Sequence, residues 1–420
     1  MNPQAEELNK QIESTNPAIL ELLSERGKNI FYPKAGILAQ TTDAKTKSIN
    51  ATIGIAIDDD NVPMHLPSTK QHITLEPKEI YPYAPSQGPP ALRKTWKDLT
   101  KKKNPSLTAA TSLPLVTNGL TNALSITGYL FADNKTILTP DLFWGNYKLT
   151  FAQAYNATLE PFNTFQNNKF DTEALKQALE KQDSPILLLN FPNNPTGYMP
   201  SKEECQDIAD TIKAAAETKK ILVILDDAYI DLIYEQPQES LFSYLADLHE
   251  NLLTIKIDGA TKGDYAWGFR VGFLTFNSKG ATTETYEALE HKAAGAIRGN
   301  ISNASNLSQN ILLKAYQSDT YDQETKQNFD ILKERYEQVK HVLKEHKEFE
   351  QQFTTLPFNA GYFMCITLKN HDAETIRQKL LKEYDMGIIA LGDKIRIAFS
   401  AIPKNKIEQA FINIYEACSQ

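Results

Sequence analysis

The stretch GATKGDYAWGFRVG, residues 259–272, lies between two short apolar runs, residues 252–257 and 271–276, that predict strands. Lys262 sits here in a turn of small residues with few charged neighbours, and Arg270 follows eight positions later. An enclosed site and a nearby cation both lower the pKa of an amine, which favours Schiff-base chemistry. The guanidinium of Arg270 suits a phosphate dianion, because its fork matches two oxygens at once. On this stretch alone, a structural lysine and a structural arginine remain the simpler interpretation.

The composition is that of an ordinary globular protein. The 420 residues suffice for one large or two medium domains. A net charge of −8 argues against nucleic-acid binding as the main function. Cys205, Cys365 and Cys418 show no metal-type spacing, which predicts a reducing compartment without disulfides or a structural metal. With no apolar signal core and no run of about 18 apolar residues, we expect a cytoplasmic protein that does not bind membranes.

Short apolar runs alternate with helical patterns from about residue 115 onwards. The runs that predict strands are residues 136–138, 185–189, 221–225, 252–257 and 271–276, and helices are predicted over residues 172–182 and 201–217. This alternation predicts an α/β fold with a mostly parallel sheet and helices on both faces. In such sheets, ligands bind beyond the carboxyl ends of the strands.

The two ends of the chain have different patterns. Residues 6–26 predict one amphipathic helix, and residues 49–56 predict a strand or extended segment. Residues 304–347 predict a long helical connector. A C-terminal part follows, with strands at 362–368 and 395–399 and helices at 373–384 and 404–417. We therefore expect a large domain over residues 62–320 and a smaller α+β domain from residues 1–61 and 321–420.

Three further stretches place polar residues where predicted strands end. The asparagines in NFPNNPTG, residues 190–197, are costly after a buried strand unless they bond something, although the stretch also makes a simple turn. Asp226 begins DDAY after the next strand, where it either caps a helix or pairs with a cationic ring nitrogen. Residues 117–124, TNGLTNAL, start a predicted helix whose free N–H groups favour an anion. An ordinary helix cap is the simpler interpretation of that stretch alone.

In this order and spacing, the stretches resemble the fold-type-I pyridoxal-phosphate-dependent aminotransferases of classes I and II, and aspartate aminotransferase in particular. The matching residues are NFPNNPTG at 190–197, DDAY at 226–229, Thr261-Lys262 and Arg270-Val271-Gly272, within a likeness that runs from about residue 49 to residue 399. The resemblance implies a seven-stranded type of mostly parallel sheet and pyridoxal 5'-phosphate as cofactor. It also implies transfer of an amino group from an L-amino acid to a 2-oxo acid by a ping-pong mechanism.

The resemblance assigns a role to each matching position. Lys262 resembles the lysine that forms the Schiff base with the cofactor and then moves the proton, and Asp226 resembles the partner of the pyridinium nitrogen. The other positions that resemble cofactor-binding residues are Asn194 and Tyr229 at the phenolate oxygen, Arg270, Gly119, Leu120 and Thr121 around the phosphate, and Trp144 stacked on the ring. Tyr83 resembles a tyrosine that reaches the phosphate of the neighbouring subunit, which implies a homodimer with shared active sites.

Three positions resemble substrate-binding residues. Arg396 resembles the arginine that binds the substrate α-carboxylate at two points. The alternative interpretation is a surface arginine on an edge strand. Gly54 resembles a residue that closes over the substrate. Arg298 resembles the arginine that binds a side-chain carboxylate from across the dimer, but it also suits a salt bridge between subunits. Aspartate or glutamate and aromatic amino acids therefore both stay open as donors, and 2-oxoglutarate is the acceptor by analogy.

The sequence departs from the family pattern at two positions. Gly259 stands where members usually carry a phosphate-binding serine or threonine, and Tyr147 stands where aspartate-type members often carry a histidine behind the ring. We expect the first change to remove a phosphate contact and the second to retune Asp226. Two alternatives use the same fold: a carbon–sulfur β-lyase, and a regulator with an idle aminotransferase domain. The regulator is disfavoured because the chain shows no basic helix-turn-helix segment.

Overall fold

The computed structural model describes residues 1–33, 36–235 and 239–419. The strands, in chain order, are β1 (Ile49–Asn50), β2 (Leu115–Thr117), β3 (Thr136–Pro140), β4 (Thr158–Phe162), β5 (Phe165–Gln166), β6 (Lys169–Phe170), β7 (Ile186–Asn190), β8 (Ile221–Asp226), β9 (Leu252–Gly259), β10 (Gly272–Asn277), β11 (Phe353–Thr355), β12 (Phe363–Leu368), β13 (Met386–Gly387), β14 (Ile389–Leu391) and β15 (Lys394–Ala398).

Helices surround these strands along the whole chain. They are α1 (Pro3–Thr15), α2 (Pro17–Leu22), α3 (Glu25–Asn29), α4 (Ile37–Asp43), α5 (Pro67–Lys70), α6 (Pro77–Ile80), α7 (Pro90–Lys103), α8 (Leu120–Phe131), α9 (Thr172–Glu180), α10 (Lys202–Ala216), α11 (Leu241–Leu245), α12 (Ala260–Gly263), α13 (Thr283–Asn300), α14 (Asn306–Tyr316), α15 (Tyr321–Glu345), α16 (Ala373–Glu383) and α17 (Ile407–Ser419).

The largest sheet orders its seven strands β2–β10–β9–β8–β7–β3–β4. The strands from β4 to β9 in this order pair in parallel, and β10 runs antiparallel to both β9 and β2. The predicted α/β fold with a mostly parallel sheet is therefore confirmed. β10 is reversed because the chain turns back directly through residues 260–271 instead of crossing over the sheet.

The sheet is buried on both faces, as the continuous apolar runs require. Along β7, the side chains of Leu187 and Leu189 enter one hydrophobic core and that of Leu188 enters the other, and all three are fully buried. Ile208 of α10 belongs to the first core and Leu124 of α8 to the second. Successive strand residues point to opposite faces, so helices must cover both sides of the sheet.

A second, four-stranded antiparallel sheet has the order β11–β12–β15–β14. β1, near the start of the chain, pairs in parallel with β13 through Ile49 and Met386. The smaller α+β part is therefore built from both ends of the chain, as the sequence predicted. The boundaries at residues 62 and 320 stay a prediction.

Two expectations from the sequence were wrong. Residues 6–26 form parts of α1, α2 and α3 rather than one helix, because Pro17 cannot continue α1, and Leu22 is 85% exposed. Within residues 49–56, only Ile49–Asn50 forms a strand. The helical stretch predicted at 304–347 is present as two helices, α14 and α15, which are separated by the residues between Tyr316 and Tyr321.

Candidate active site

A cavity of about 350 Å³ lies beyond the carboxyl ends of β7, β8 and β9, where open parallel sheets bind ligands. The predicted site residues that line it are Gly54, Leu120, Thr121, Trp144, Asn194, Asp226, Tyr229, Lys262, Arg270 and Arg396. The structure therefore brings together residues from both ends and the middle of the chain.

Lys262 lies in the short helix α12, directly after β9. Its Nζ donates a hydrogen bond to the Gly54 carbonyl at 3.1 Å and lies 5.2 Å and 5.6 Å from the ring centres of Tyr229 and Tyr362. Burial, then the charges of two nearby arginines, lower the pKa of this amine to about 7. A substantial fraction of the amine is therefore unprotonated near neutral pH, as a nucleophile requires.

Asp226 is the last residue of β8 and is 4% exposed. Its Oδ2 accepts a hydrogen bond of 2.6 Å from the hydroxyl of Tyr147, and Oδ1 accepts one of 3.3 Å from the Ala228 N–H. Burial raises the pKa of Asp226 to about 6, against the opposing effect of the Tyr147 hydrogen bond. Tyr147 also meets Trp144 edge-on, with ring centres 5.6 Å apart, so the residue that replaces the family histidine contacts Asp226 directly.

The start of α8 and Arg270 form a cradle for an anion. α8 begins directly after Gly119, whose φ of 77° favours glycine. A Cβ atom at this position would lie 2.4 Å from Nη2 of Arg270, so glycine also leaves room for the guanidinium. Arg270 itself is left-handed, with φ 56°. The Thr261 hydroxyl is buried and has no hydrogen-bond partner among the described residues. Free helix N–H groups, a guanidinium and an unpaired hydroxyl together suit a phosphate.

Gly259 is explained by the same close packing. A Cβ at this position would lie 2.6 Å from the Val271 carbonyl oxygen and 2.8 Å from the Gly272 Cα. These contacts are with the backbone of the neighbouring strand, which cannot move aside cheaply. A serine or threonine therefore does not fit at position 259 in this chain.

Arg396 lies on β15, an interior strand between β12 and β14, and is 3% exposed. Its guanidinium lies 4.2 Å from the ring centre of Phe363 and makes two bonds of 3.3 Å, to Oδ1 of Asn194 and to the Thr52 carbonyl. Nε has no partner among the described residues. A buried cation without a counter-ion is costly, so this arginine is suited to receive an anion.

Three predicted site residues do not line the cavity of the single chain: Gly119, which lies behind it in contact range of Arg270, and two residues that lie elsewhere. Tyr83 is 88% exposed, and Arg298 is exposed on α13, where it donates a bond of 2.8 Å to the Ser302 hydroxyl. Both were predicted to act across a dimer, so their roles stay predictions.

Sequence reasoning missed several residues that line or flank the cavity. Phe363 lies under Arg396, and Tyr362 donates to the Lys262 carbonyl oxygen at 3.1 Å. The other lining residues, to which the sequence assigned no individual role, are Ile37, Thr41, Thr52, Asn146, Asn190, Ala228 and Thr261. The alternation of β12 was the available signal for Phe363, because its side chain must share a face with every second residue of that strand.

The site residues fit pyridoxal 5'-phosphate on structural grounds. The cradle that Gly119 keeps open accepts a phosphate, Asp226 can face a protonated ring nitrogen, and the Lys262 amine can bond an aldehyde. No group of three or more His, Cys, Asp or Glu side chains that could hold a metal occurs in the part of the chain that the structure describes. Sheet and cavity together fit an enzyme of the class that holds a phosphate-bearing aldehyde cofactor.

The family model for "Aminotransferase class I and II" matches residues 52–414. This chain therefore belongs to the class I and II aminotransferases, a family of pyridoxal-phosphate-dependent transaminases. Over residues 1–33, 36–235 and 239–419, no helix has the length and apolar character to span a bilayer.

Individual relatives are distant. Aspartate aminotransferase of Bacillus sp. (strain YM-2) is 26% identical over 61% of this chain and 64% of its own length. Aromatic-amino-acid aminotransferase 2 of Thermococcus litoralis is 26% identical over 53% and 56%. These alignments span less than two thirds of either relative. The crystal structure of an aminotransferase from Anaerococcus prevotii superposes with a TM-score of 0.85 at 24% identity, over 95% of this chain and all of that one, which shows the shared fold.

Proposed function

We propose that this chain transfers the amino group of an L-amino acid to a 2-oxo acid, with pyridoxal 5'-phosphate as cofactor and a ping-pong mechanism. One observation carries the proposal. Lys262 and Asp226, at the ends of adjacent strands, line one cavity together with two separate cations, Arg270 and Arg396. One cation suits the cofactor phosphate and the other the substrate carboxylate.

Each residue has a task that its surroundings support. When bound, the cofactor supplies an aldehyde for the amine and a ring that accepts electrons. Asp226 holds the ring nitrogen protonated, and Tyr147 orients this carboxylate through its 2.6 Å hydrogen bond. Lys262, with a pKa of about 7, is suited to take a proton from the substrate Cα and to return one. Arg396 orients the amino acid by its α-carboxylate.

The direct test is covalent. Purified protein is incubated with pyridoxal 5'-phosphate and reduced with borohydride, and the peptide that contains residue 262 is examined by mass spectrometry. We expect the reduced cofactor on Lys262 and none on the Lys262→Ala variant. Labelling of other lysines alone would contradict the proposal.

Turnover distinguishes a transaminase from a lyase. With an amino acid alone, we expect the cofactor to be left in its amino form, and subsequent 2-oxoglutarate to restore the aldehyde form. Release of ammonia and pyruvate from the amino acid would contradict transamination and indicate a carbon–sulfur β-lyase.

The donor class depends on Arg298 in the proposed homodimer. The names of the relatives include both aspartate and aromatic-amino-acid aminotransferases, so both donor classes are candidates. If Arg298 and Tyr83 reach the partner's site, Arg298→Ala will reduce activity with aspartate and leave activity with phenylalanine nearly unchanged. Unchanged aspartate activity would exclude Arg298 as the side-chain ligand.

The three buried, unpaired cysteines are consistent with a cytoplasmic enzyme.

A further inference from the structure

A buried cluster of charges lies behind the cofactor-facing residues. This rear cluster consists of Asp227, Lys256 and Asp258, which are at most 4% exposed. Nζ of Lys256 lies 3.2 Å from Oδ2 of Asp227 and also donates a hydrogen bond to the Asp258 carboxylate. One cation therefore joins two carboxylates inside the protein.

The rear cluster connects the two strands that carry the main catalytic groups. Asp227 directly follows Asp226 at the end of β8, and its N–H donates to the Ile257 carbonyl of β9 at 2.8 Å. Lys256 and Asp258 are two residues apart on β9, so their side chains share one face of that strand. The helix that bears Lys262 begins two residues after Asp258.

Neighbouring groups hold both carboxylates in place. Oδ2 of Asp227 accepts a hydrogen bond of 2.5 Å from the Ser240 hydroxyl, and Oδ1 of Asp258 accepts one of 3.0 Å from Nε1 of Trp96. The Trp96 ring stacks on Phe273 of β10, with ring centres 4.2 Å apart. The rear cluster is thus a fixed arrangement of charges.

Two sets of charged groups face the rear cluster. A cavity of about 190 Å³ separates it from the ion pair between Lys103 and Asp231, whose atoms are 2.7 Å apart. Asp264, which accepts hydrogen bonds from Tyr316 and Tyr321, lies beyond that pair.

On the active-site side, Asp226 faces Tyr147 and Lys262, and Lys262 in turn faces Arg270 and Arg396. The negative charge of Asp227 raises the pKa of Asp226. The positive charge of Lys256 lowers the pKa of Asp227. The cation of the rear cluster thus acts on the catalytic carboxylate through its sequence neighbour.

Stability alone is a weak reason for such a cluster, because a buried ion pair often contributes no more than apolar packing of the same volume. We propose that Lys256 is a positioning residue, which acts through Asp227 and Asp258 to align the ends of β8 and β9 and to set the electrostatic potential at Asp226 and Lys262. This inference rests on the proposed function for its role in catalysis, while the geometry of the rear cluster is independent of it.

The proposal predicts shifts of opposite sign. If Lys256 becomes methionine, one positive charge is lost, and at pH values where Asp227 and Asp258 are both ionised the added negative potential favours protonated forms at the active site. The pKa of Lys262 then rises. If Asp258 becomes asparagine, one negative charge is lost while the cation stays, and the pKa of Lys262 falls. Lys256→Arg keeps the charge and leaves the pKa nearly unchanged.

The experiment measures this pKa in the cofactor-free protein and, as a second and separate reporter of the potential at the site, the pH transition of the loaded protein. In the cofactor-free protein, the pH dependence of acetylation of residue 262 by acetic anhydride is followed by mass spectrometry. In the protein loaded with pyridoxal 5'-phosphate, the pH midpoint of the visible absorption change is recorded. We expect Lys256→Met to raise both midpoints by about one pH unit and Asp258→Asn to lower them by about half a unit.

Arg93→Met is the matched control. Arg93 forms a buried ion pair with Glu290, with 2.6 Å between the charged atoms, and neither residue lines the active-site cavity. This variant should lower the thermal unfolding temperature without moving either midpoint. Midpoints that stay constant in the Lys256 and Asp258 variants, or move in the same direction, would overturn the inference. If Lys256→Met does not fold, Asp258→Asn and Lys256→Arg still decide it. A parent protein that never gains visible absorption would overturn the proposed function instead, and the acetylation measurement would still test the rear cluster.

Discussion

Two sides of the active-site cavity are built in different ways. The floor, which we define as Tyr147, Asp226 and Lys262, has its two ionisable groups at the ends of adjacent paired strands, β8 and β9, and contains a hydrogen bond of 2.6 Å from Tyr147 to Asp226. The wall, which we define as Thr52, Phe363 and Arg396, combines distant chain segments. Within it, Arg396 makes two hydrogen bonds of 3.3 Å, to Asn194 and to the Thr52 carbonyl, and its Nε lacks a partner among the described residues.

This difference separates a permanent arrangement from one that a ligand completes. Strand pairing places Asp226 and Lys262 before anything binds, and the hydrogen bond from Tyr147 holds the carboxylate, which is the preorganisation that lowers a reaction barrier. In the wall, Nε of Arg396 has a hydrogen-bond donor that is free within the part of the chain that the structure describes, so a bound carboxylate can complete the hydrogen bonding of this guanidinium. Changes to the floor should therefore reduce kcat, and changes to the wall should raise KM.

The largest effect is expected on the floor. In the proposed mechanism, Asp226→Asn removes the charge that would keep the ring nitrogen protonated, and we expect kcat to fall about 10³-fold with little change in KM. Steady-state kinetics and the unfolding temperature are measured together, so that misfolding is recognised. A loss of less than tenfold would show that the floor does not act through this charge.

A smaller effect is expected on the wall. Arg396→Lys loses the planar fork that binds a carboxylate at two points, and we expect KM for the amino acid to rise about 30-fold. Affinity for pyridoxal 5'-phosphate, measured by fluorescence quenching, should stay within twofold. Arg93→Lys serves as the control for changing a buried arginine. If cofactor affinity falls as much as substrate affinity, Arg396 contributes to cofactor binding as well, and the wall does not act on the substrate alone.

Within the floor, Tyr147→Phe keeps the ring contact with Trp144 and removes one hydrogen bond to Asp226. We expect kcat to fall about tenfold, since a buried carboxylate loses one of its donors. KM should not change. An equal change in kcat and KM would mean that Tyr147 shapes the cavity rather than orienting the carboxylate.

The smallest effect concerns stability without cofactor. Burial lowers the pKa of Lys262 from 10.5 to about 7. Between these values the unfolded chain binds a proton that the folded chain does not, so stability rises with pH. From pH 7 to pH 9 we expect the free energy of unfolding to rise by about 1 kcal/mol more in the parent than in Lys262→Met, because partial solvent exposure weakens the coupling. Urea unfolding at both pH values checks this, and equal slopes would contradict the lowered pKa.

Much of the floor could be predicted from the sequence. The runs before NFPNNPTG and DDAY became β7 and β8, and Asn190 pairs in register with Asp226. A buried parallel strand is a continuous apolar run with its polar residues at the end, so strand and site are both visible locally. Helix boundaries at the N-terminus were less predictable. Apolar periodicity in a sequence does not show whether the apolar side of the helix packs against the rest of the protein, and here Ile19 and Leu22 remain exposed.

By itself, the sequence predicted five of the seven strands of the main sheet, β3, β7, β8, β9 and β10, and the chemistry at the ends of β7, β8 and β9, since periodic burial and motif spacing are local properties. Only the tertiary structure decided that Tyr147 reaches Asp226 from 79 residues away, that Phe363 lies under Arg396, and that no side chain fits at Gly259. It also decided that Lys256 joins two carboxylates behind the floor. Such contacts join segments that are distant in the chain, and they exist only once the packed sheet places those segments side by side.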